Sequence, residues 1–597
     1  MNPRNFFAEL KRRNVMRLAG LYLVGAWLLV QVTGTVLPMF GAPDWLPRTI
    51  VILLAIGFVP ALIFSWIFEL TPQGLKRDEH VAPEQSIAPQ TARRMDRMII
   101  VVLVLALGYF AFDKFVLTPR REAAFAASFI PNETSPGAKR QSIAVLPFVN
   151  MSADKNDEYL SDGMTEELIN ALAKVPGLRV PGRTSSFAFK GRNDEDIFHE
   201  VGERLHVATV LEGSVRKAGE KLRVTAQLIN VSDGYHLWSK DYDGDLKDIL
   251  NFQSNVAEQV VQALQVKLGV EEKRALAKKA TENPEAHRLY LLGRYEFTKY
   301  TQAGWNNAIR YYEQALRLDP GFALAYCGLA DNYAYMGSVV MPEKEAIAKE
   351  KEFAQKALQL DPQLAEAHMS LGLALVAAFD WRKGMKEFDR ALELNPNLAF
   401  AYELQAWTLN GLGRFEEAMS KDKQAIELDP LNPFLQMSLS FFQYWAGRYD
   451  DAIAQARKTL EMDPNSAISH LLIGLSFLKK GDTAGAIEEL QKAKVPDPGA
   501  WYQGFLGYAY AVSGDRVKAS QALRDLEELA KTQYVSPTAF VTIYLGLGEK
   551  EKTLDWLEKA YEEQDSACWY LKIDQLYDSV RNEPRFQAIL KKVGLDQ

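Results

Sequence analysis

Seven histidines, two cysteines and a run of alternating aspartates are the residues of this 597-residue chain whose types could ligate a metal or carry a proton. His80, His199, His206, His236, His287, His368 and His470 are scattered. His199 and His206 share a segment, but a pair seven positions apart with no third ligand is a poor metal site. Cys327 and Cys568 lie far apart without metal-ligand spacing, and two thiols exclude a disulfide framework. Asp241, Asp243 and Asp245 in "DYDGDLKD" alternate as a calcium loop requires. However, Gly244 sits at the wrong offset and no glutamate closes the loop. An acid-rich turn leading into a helix N-terminus accounts for the run better. The chain has no G-x-x-x-x-G-K, G-x-G-x-x-G, H-E-x-x-H, C-x-x-C or G-x-S-x-G. The expectation is no metal, no cofactor, no catalytic residue and a protein that is not an enzyme.

Composition narrows the partners. Hydrophobic residues make up 48% and charged residues 24%, a globular balance. The 76 acidic against 69 basic side chains give a net charge of −7, which speaks against a nucleic-acid binder, since phosphates need clustered Lys and Arg. The length suggests several folded units.

Three apolar stretches crowd the first fifth of the chain, at about 18–40, 49–68 and 98–117. Each is near the roughly 20 residues that a membrane-crossing helix needs. Arg4, Lys11, Arg12, Arg13 and Arg17 precede the first stretch, and only Arg48 stands between the first and second. Lys76, Arg77, Arg93, Arg94 and Arg97 precede the third, and Arg120 and Arg121 follow it. By the positive-inside rule the N-terminus and the second loop are cytoplasmic and residues beyond about 120 are outside. In a bacterium this is a multi-pass inner-membrane protein with a periplasmic remainder. The loop from about Thr71 to Arg97 reads as a tether, and residues 121–141 as a linker.

From Ser142 the pattern becomes mixed. "SIAVLPFVN" reads as a buried strand, and "EYLSDGMTEELINALAKVPGL" as a helix with Gly177 as its cap. "LRV" and "SSFAF" read as strands, and Asp196 to Leu205 as a second helix. "HVATVLEGSVRK", "KLRVTAQLINV" and "YHLWSKDY" follow as strands. Leu222, Val224, Ala226 and Leu228 alternate with Arg223, Thr225 and Gln227, the period of a half-buried strand. "DLKDILNFQSNVAEQVVQALQVKLG" closes a small α/β domain at 142–270. "IAVLPFVNMSADKNDEYLSDGMTEELINAL" and "VLEGSVRKAGEKLRVTAQLINVSDGYHLWSKDYD" resemble the TolB-amino-terminal-like (FlgO-like) domain of bacterial TPR proteins. That resemblance implies a domain joined to repeats. In some members a winged helix or a nucleotide cyclase domain stands in front. Here "FFAELKRRNVMRLAGLYLVGAWLLVQ" and "FSWIFELTPQGLKR" are similar to a membrane module found before such domains.

The C-terminal half carries "ALRLDP", "ALQLDP", "ALELNP", "AIELDP", "TLEMDP" and "AKVPDP", ending at Pro320, Pro362, Pro396, Pro430, Pro464 and Pro498. After a first step with eight extra residues near "MGSVVMPEK", the prolines are phased at the period of about 34 that marks tetratricopeptide (TPR) repeats. Ala308, Gly384, Ala418, Ala452 and Ala486 stand twelve residues before a proline. Ala315, Ala357, Ala391, Ala425, Thr459 and Ala493 stand five before. Small residues there let paired helices pack closely. Two degenerate units and a closing helix, "EPRFQAILKKVGL", complete an array at 283–597. The fold class is therefore multidomain: a three-helix membrane module at 1–120, a small α/β domain and an all-α TPR solenoid.

The first helix of each TPR unit lines the concave face. Its groove positions predict an apolar stripe of Phe400, Trp407, Phe434, Met437, Phe441, Tyr444, Trp445, Ile468, Leu471, Leu475 and Leu478. Such a stripe suits an apolar peptide or an amphipathic helix. It could equally be filled by the chain's own C-terminal helices or middle domain. The function expected is a membrane-anchored scaffold that binds protein partners through a periplasmic TPR groove. The alternative is a signalling receptor whose α/β domain senses a ligand and acts through a membrane partner.

Overall fold

The computed structural model describes residues 141–596 except 193, 195, 338 and 495–499. Before them it describes only 19–20, 22, 25–26, 53–54, 57–58, 60, 68–71 and 74–77. The chain divides into two compact units, Met1–Ala138 and Lys139–Gln597.

In the first unit, β1 (Phe68–Thr71) and β2 (Gly74–Arg77) form an antiparallel hairpin with Leu70 opposite Leu75. The hairpin takes up the last residue of the span predicted at 49–68 and the start of the stretch read as a tether, and its strand pairing satisfies backbone groups there. The Tyr22 hydroxyl donates to the Leu54 carbonyl at 2.7 Å, and the Tyr22 and Phe58 rings lie 5.4 Å apart. Among the described residues no helix is long and apolar enough to cross a membrane. Most of the predicted spans at 18–40 and 49–68, and all of 98–117, lie outside the described residues.

The second unit opens with a six-stranded sheet. β3 (Gln141–Val145) lies parallel to β5 (Leu178–Arg179) on one side and to β6 (Thr209–Ala218) on the other. The short β4 (Val149–Asn150) also pairs with β6. An antiparallel meander continues through β7 (Lys221–Asn230) to β8 (His236–Asp245) at the edge. β3 reads as continuously apolar because both its faces are covered. Ile143 and Val145 join the core under α1 (Glu158–Ala173), whereas Ala144 packs on the opposite side. There a five-residue helix, α2 (Arg183–Phe187), precedes α3 (Ile197–Leu205), which covers that face with Ile197, Val201 and Leu205. α4 (Ile249–Ala263) adds Val256, Ala257 and Val260 to the first core. Gly213 has no alternative at its position: a Cβ would meet the Thr225 carbonyl oxygen at 2.3 Å and the Phe148 ring at 2.5 Å.

Three local expectations change. "SSFAF" is helix α2 with its flank, not a strand; the Ser186 and Ala188 amides donate back to Gly182 and Thr184. Helix α1 ends at Ala173, and Gly177 serves the following turn with φ +79°. Asp241, Asp243 and Asp245 lie on strand β8, not in a turn. They face Thr225 (2.7 Å), Arg223 (2.6 Å) and Lys221 (2.7 Å) on β7, so their alternation is cross-strand pairing.

After α5 (Val270–Ala277) come eight helix pairs. They are α6/α7 (Pro284–Phe297, Gln302–Leu318), α8/α9 (Ala323–Met336, Glu343–Leu360), α10/α11 (Ala365–Ala377, Trp381–Leu394) and α12/α13 (Ala399–Gly411, Phe415–Leu428). Then follow α14/α15 (Pro433–Trp445, Tyr449–Met462), α16/α17 (Ala467–Lys479, Thr483–Lys494), α18/α19 (Ala500–Val512, Arg516–Leu529) and α20/α21 (Pro537–Leu547, Lys550–Glu562). α22 (Pro584–Val593) closes the chain. The eight extra residues of the second pair lie in a first helix one residue longer, a connection three longer and a second helix four longer than in α10/α11.

The small residues that phase the repeats are buried between paired helices: Ala308, Ala418, Ala452 and Ala486 are fully enclosed, as are Ala315, Ala391 and Thr459. The array returns on itself. The Lys344 amide donates to the Glu563 carbonyl at 2.9 Å, and the Trp381 indole donates to the Val593 carbonyl at 2.7 Å.

Candidate functional site

The proline-proximal turns position the site. In most units the Asp or Asn before the proline caps its own turn: Asp319 accepts from the Gly321 amide, Asp361 from Gln363, Asn395 from Asn397 and Asp463 from Asn465. Asp429 instead accepts the amide of Ser185, in the α/β domain, at 2.8 Å. Around it the Gly182 amide donates to the Leu428 carbonyl at 2.9 Å, and the Leu431 amide donates to the Ser185 hydroxyl at 2.9 Å. One turn earlier in the array, the Asn397 amide group donates to the Ala173 and Leu178 carbonyls at 2.8 and 2.9 Å. The α/β domain is thus gripped through its backbone by two successive repeat turns.

At the first repeats the grip is ionic. Glu166 on α1 bonds Arg294 on α6 at 2.6 Å and Arg183 on α2 at 3.0 Å. Arg294 also faces Asp331 on α8 at 3.5 Å, and Asp331 accepts from the Ser370 hydroxyl at 3.0 Å. Lys174 pairs with Glu366 at 3.4 Å. Burial pushes the Glu166 carboxyl up, but the two guanidinium groups outweigh it and hold it below the usual range. The adjacent Glu167 has no ion pair, and burial together with Glu166 pushes it up to about 7.

Between these anchor points, α1, α2 and α4 on one side and the first helices of the repeats on the other enclose a cleft of about 1550 Å³. Its wall carries aromatic pads at two places. Phe297, Tyr300 and Tyr335 cluster on the first two repeats, with centroids 5.2–5.9 Å apart. Phe400 and Phe434 lie 6.0 Å apart on the fourth and fifth, and Phe434 is 42% exposed.

The predicted groove stripe is divided by this arrangement. Phe400 and Phe434 line the cleft. Met437, Phe441, Tyr444, Trp445, Leu471 and Leu475 are buried, and Trp407, Ile468 and Leu478 are half-buried against the same core. Trp407 and Trp445 lie under the chain's own segment after α21, which forms two short 3-10 turns, Ser566–Tyr570 and Gln575–Ser579. Tyr570 stacks on Trp445 at 4.3 Å and lies 5.7 Å from Trp407. Gln575 donates to the Trp445 carbonyl at 3.1 Å and accepts from the Tyr449 hydroxyl at 2.9 Å. Beneath this cover Glu403 on α12 is fully buried with Asp422 of α13 beside it. Burial pushes the Glu403 carboxyl up to about 7 and holds Asp422 well above its ordinary range.

The ionic anchors between Glu166 and Arg294 and the backbone grip on Ser185 escaped the sequence reading, because they join residues 128 to 246 positions apart with no periodic signature. A visible signal existed for the cover: "CWYLKIDQLY" packs six large aromatic or aliphatic side chains between a degenerate repeat and the last helix.

Residues 444–500 match the family model described as tetratricopeptide repeat. That segment carries tetratricopeptide repeats. The repeat protein is 35% identical over 252 residues to "Putative adenylate cyclase 3" of Rhizobium meliloti, covering 42% of this chain and 42% of that one. It is 23% identical over 242 residues to the transcriptional regulator HilA of Salmonella typhimurium, covering 40% of this chain and 42% of that one. The chain thus spans about two-fifths of the length of these curated relatives. Among solved structures, a thermophilic TPR protein of Thermus thermophilus is 20% identical, with a TM-score of 0.29, covering 32% of this chain and 99% of that one. The Rhizobium meliloti match corrects the expectation that the repeat protein is not an enzyme: its relative carries a cyclase name, and a scan for familiar motifs does not test for activity.

Proposed function

We propose that this tetratricopeptide repeat protein is a protein-interaction scaffold that seats a peptide segment of its partner in the cleft between the α/β domain and the repeats. The observation that carries this reading is the Phe400–Phe434 pair. It is the part of the predicted groove stripe that faces open volume, while Trp407 and Trp445 lie under the chain's own C-terminal segment. Exposed aromatic anchors in a concave site are what interface hot spots use. The α/β domain, read as TolB-amino-terminal-like, forms the second wall.

The reading extends to location. The segments at 18–40, 49–68 and 98–117 anchor the chain in a bacterial inner membrane, with the N-terminus cytoplasmic and residues beyond about 120 periplasmic. Uncharged apolar runs near membrane-spanning length and the flanking Arg and Lys support this. A reporter active only in the periplasm, fused after Gln597, should be active; activity of a cytoplasmic reporter there instead would sink the topology.

A second reading, a receptor that senses a ligand, is favoured by the shared cleft, whose walls come from both the α/β domain and five repeats. Placing a photo-crosslinking residue at Phe434 and, separately, at Trp445 tests the seat. Crosslinks to a partner from position 434 and not from the covered position 445 are expected. The reverse pattern overturns the proposed seat.

A further inference from the structure

The charge of the cleft wall bears on what it holds. Six basic side chains line it: Lys174, Arg183, Arg204, Lys278, Lys279 and Arg294. Each is already in an ion pair, with Glu366, Glu166, Glu200, Asp361, Glu282 and Glu166 respectively. Among the described residues, besides Asp429, which is held by Ser185 and Asn432, four acidic side chains of the same wall, Glu167, Glu272, Glu461 and Asp463, are in no ion pair. The uncommitted charge of the cleft is therefore entirely negative.

Two further atoms at the wall are unsatisfied. Glu366 pairs with Lys174 through Oε1, while its Oε2 is buried with no hydrogen-bond partner. Gln253, 7% exposed, has a buried Nε2 in the same condition. Buried polar atoms left without partners cost free energy. A ligand with a cationic donor answers Glu366 and Glu167, and a ligand with backbone carbonyls answers Gln253. A polypeptide carries both, and its apolar side chains suit the two aromatic pads. An acidic peptide would add like charge to four unpaired carboxyl groups in a partly enclosed space of reduced dielectric, where repulsion is strong.

We propose that the cleft takes a basic peptide segment, its apolar side chains on the Phe400–Phe434 and Phe297–Tyr300–Tyr335 pads and a Lys or Arg side chain on Glu167. This rests on the reading of the cleft as a peptide seat. Because Glu167 is pushed up to about 7 by burial and by Glu166, a bound cation draws off its proton, and affinity rises with pH through that region.

The test uses the full chain in detergent and three fluorescent peptides of equal length that alternate Leu with Lys, Glu or Ser, read by anisotropy. The Leu–Lys peptide should bind at least about tenfold tighter than the Leu–Glu peptide, a difference of about 1.4 kcal/mol. Glu167→Lys combined with Glu461→Lys should abolish or invert that preference. Phe434→Ala with Tyr335→Ala should weaken all three. Equal binding of the three peptides that is still weakened by Phe434→Ala with Tyr335→Ala overturns the charge inference and leaves the peptide seat standing. So does tighter binding of Leu–Glu. Binding of none, or Leu–Lys binding indifferent to the aromatic substitutions, overturns the seat itself. Glu461→Lys alone, at an exposed position, keeps the comparison readable should the Glu167 variant fail to fold.

Discussion

The carboxylate of Asp429 accepts the backbone N–H of Ser185 across 244 residues of sequence, at 2.8 Å. At Asp319, Asp361, Asn395 and Asp463 the equivalent side chain caps its own turn; here it has been given over to holding a second domain. Gly182 makes the contact possible, since a Cβ there would meet the Asp429 Cγ at 2.5 Å.

Asp429→Ala is therefore expected to loosen the α/β domain from the repeats without unfolding either. Leaving a buried amide unsatisfied costs about 1–3 kcal/mol. Hydrogen exchange should show faster exchange at 182–185 and unchanged protection in β6 and β7. Gly182→Val should give the same pattern by steric exclusion. Protection at 182–185 that survives both variants would refute the docking.

Arg294→Met removes one of the two guanidinium groups that hold Glu166 ionised. Breaking a buried pair on one side costs about 3 kcal/mol, whereas replacing both partners by apolar side chains costs far less. Chemical denaturation should show Arg294→Met well below wild type, and Arg294→Met with Glu166→Leu recovering most of the loss. A double variant as unstable as the single would show that the charge network does not set the cost.

Trp445→Ala and Phe434→Ala separate covered from open groove. Trp445, 6% exposed beneath Tyr570, should cost about 3–5 kcal/mol on truncation. Phe434, 42% exposed, should stay within about 1 kcal/mol of wild type. Equal losses in the two would mean that the C-terminal cover is not seated as described.

Glu403 gives a pH signature. Its folded-state value of about 7 lies above the 4.5 of an unperturbed glutamate, so the folded chain holds this proton more tightly than the unfolded one. Stability contributed by the protonated group is full below about 4.5, falls as pH rises towards about 7, and is flat above. Glu403→Gln, which keeps the shape without the acid, should raise the melting temperature at pH about 8 and flatten its decline between about 5 and 7. A decline unchanged in the variant would assign the titration to other buried acids, such as Glu350.

What was legible in the sequence was whatever repeats or alternates. The phased prolines gave the helix pairs, and Leu222 to Leu228 gave β7, because burial on one face imposes its period on residue type. Aspartates 241, 243 and 245 showed their period too, but a period alone did not distinguish an acid-rich turn from a ladder facing Lys221, Arg223 and Thr225. The predicted groove stripe is apolar, yet apolarity is the same whether Tyr570 or a partner covers Trp445. The docking of Ser185 on Asp429 left no trace in either residue type, since a backbone amide is carried by nearly every residue.

The return of the array on itself, from Glu563 to Lys344 and from Val593 to Trp381, has a mechanical consequence. An open solenoid behaves as a spring: tension at one end peels units away in sequence, each yielding on its own. Here a pull on Gln597 would be transmitted straight to the second and third helix pairs, bypassing the five between. The molecule is clasped like a buckled strap. It should yield in one large rupture event rather than a staircase of small ones, and any load it carries is shared around the ring from the start.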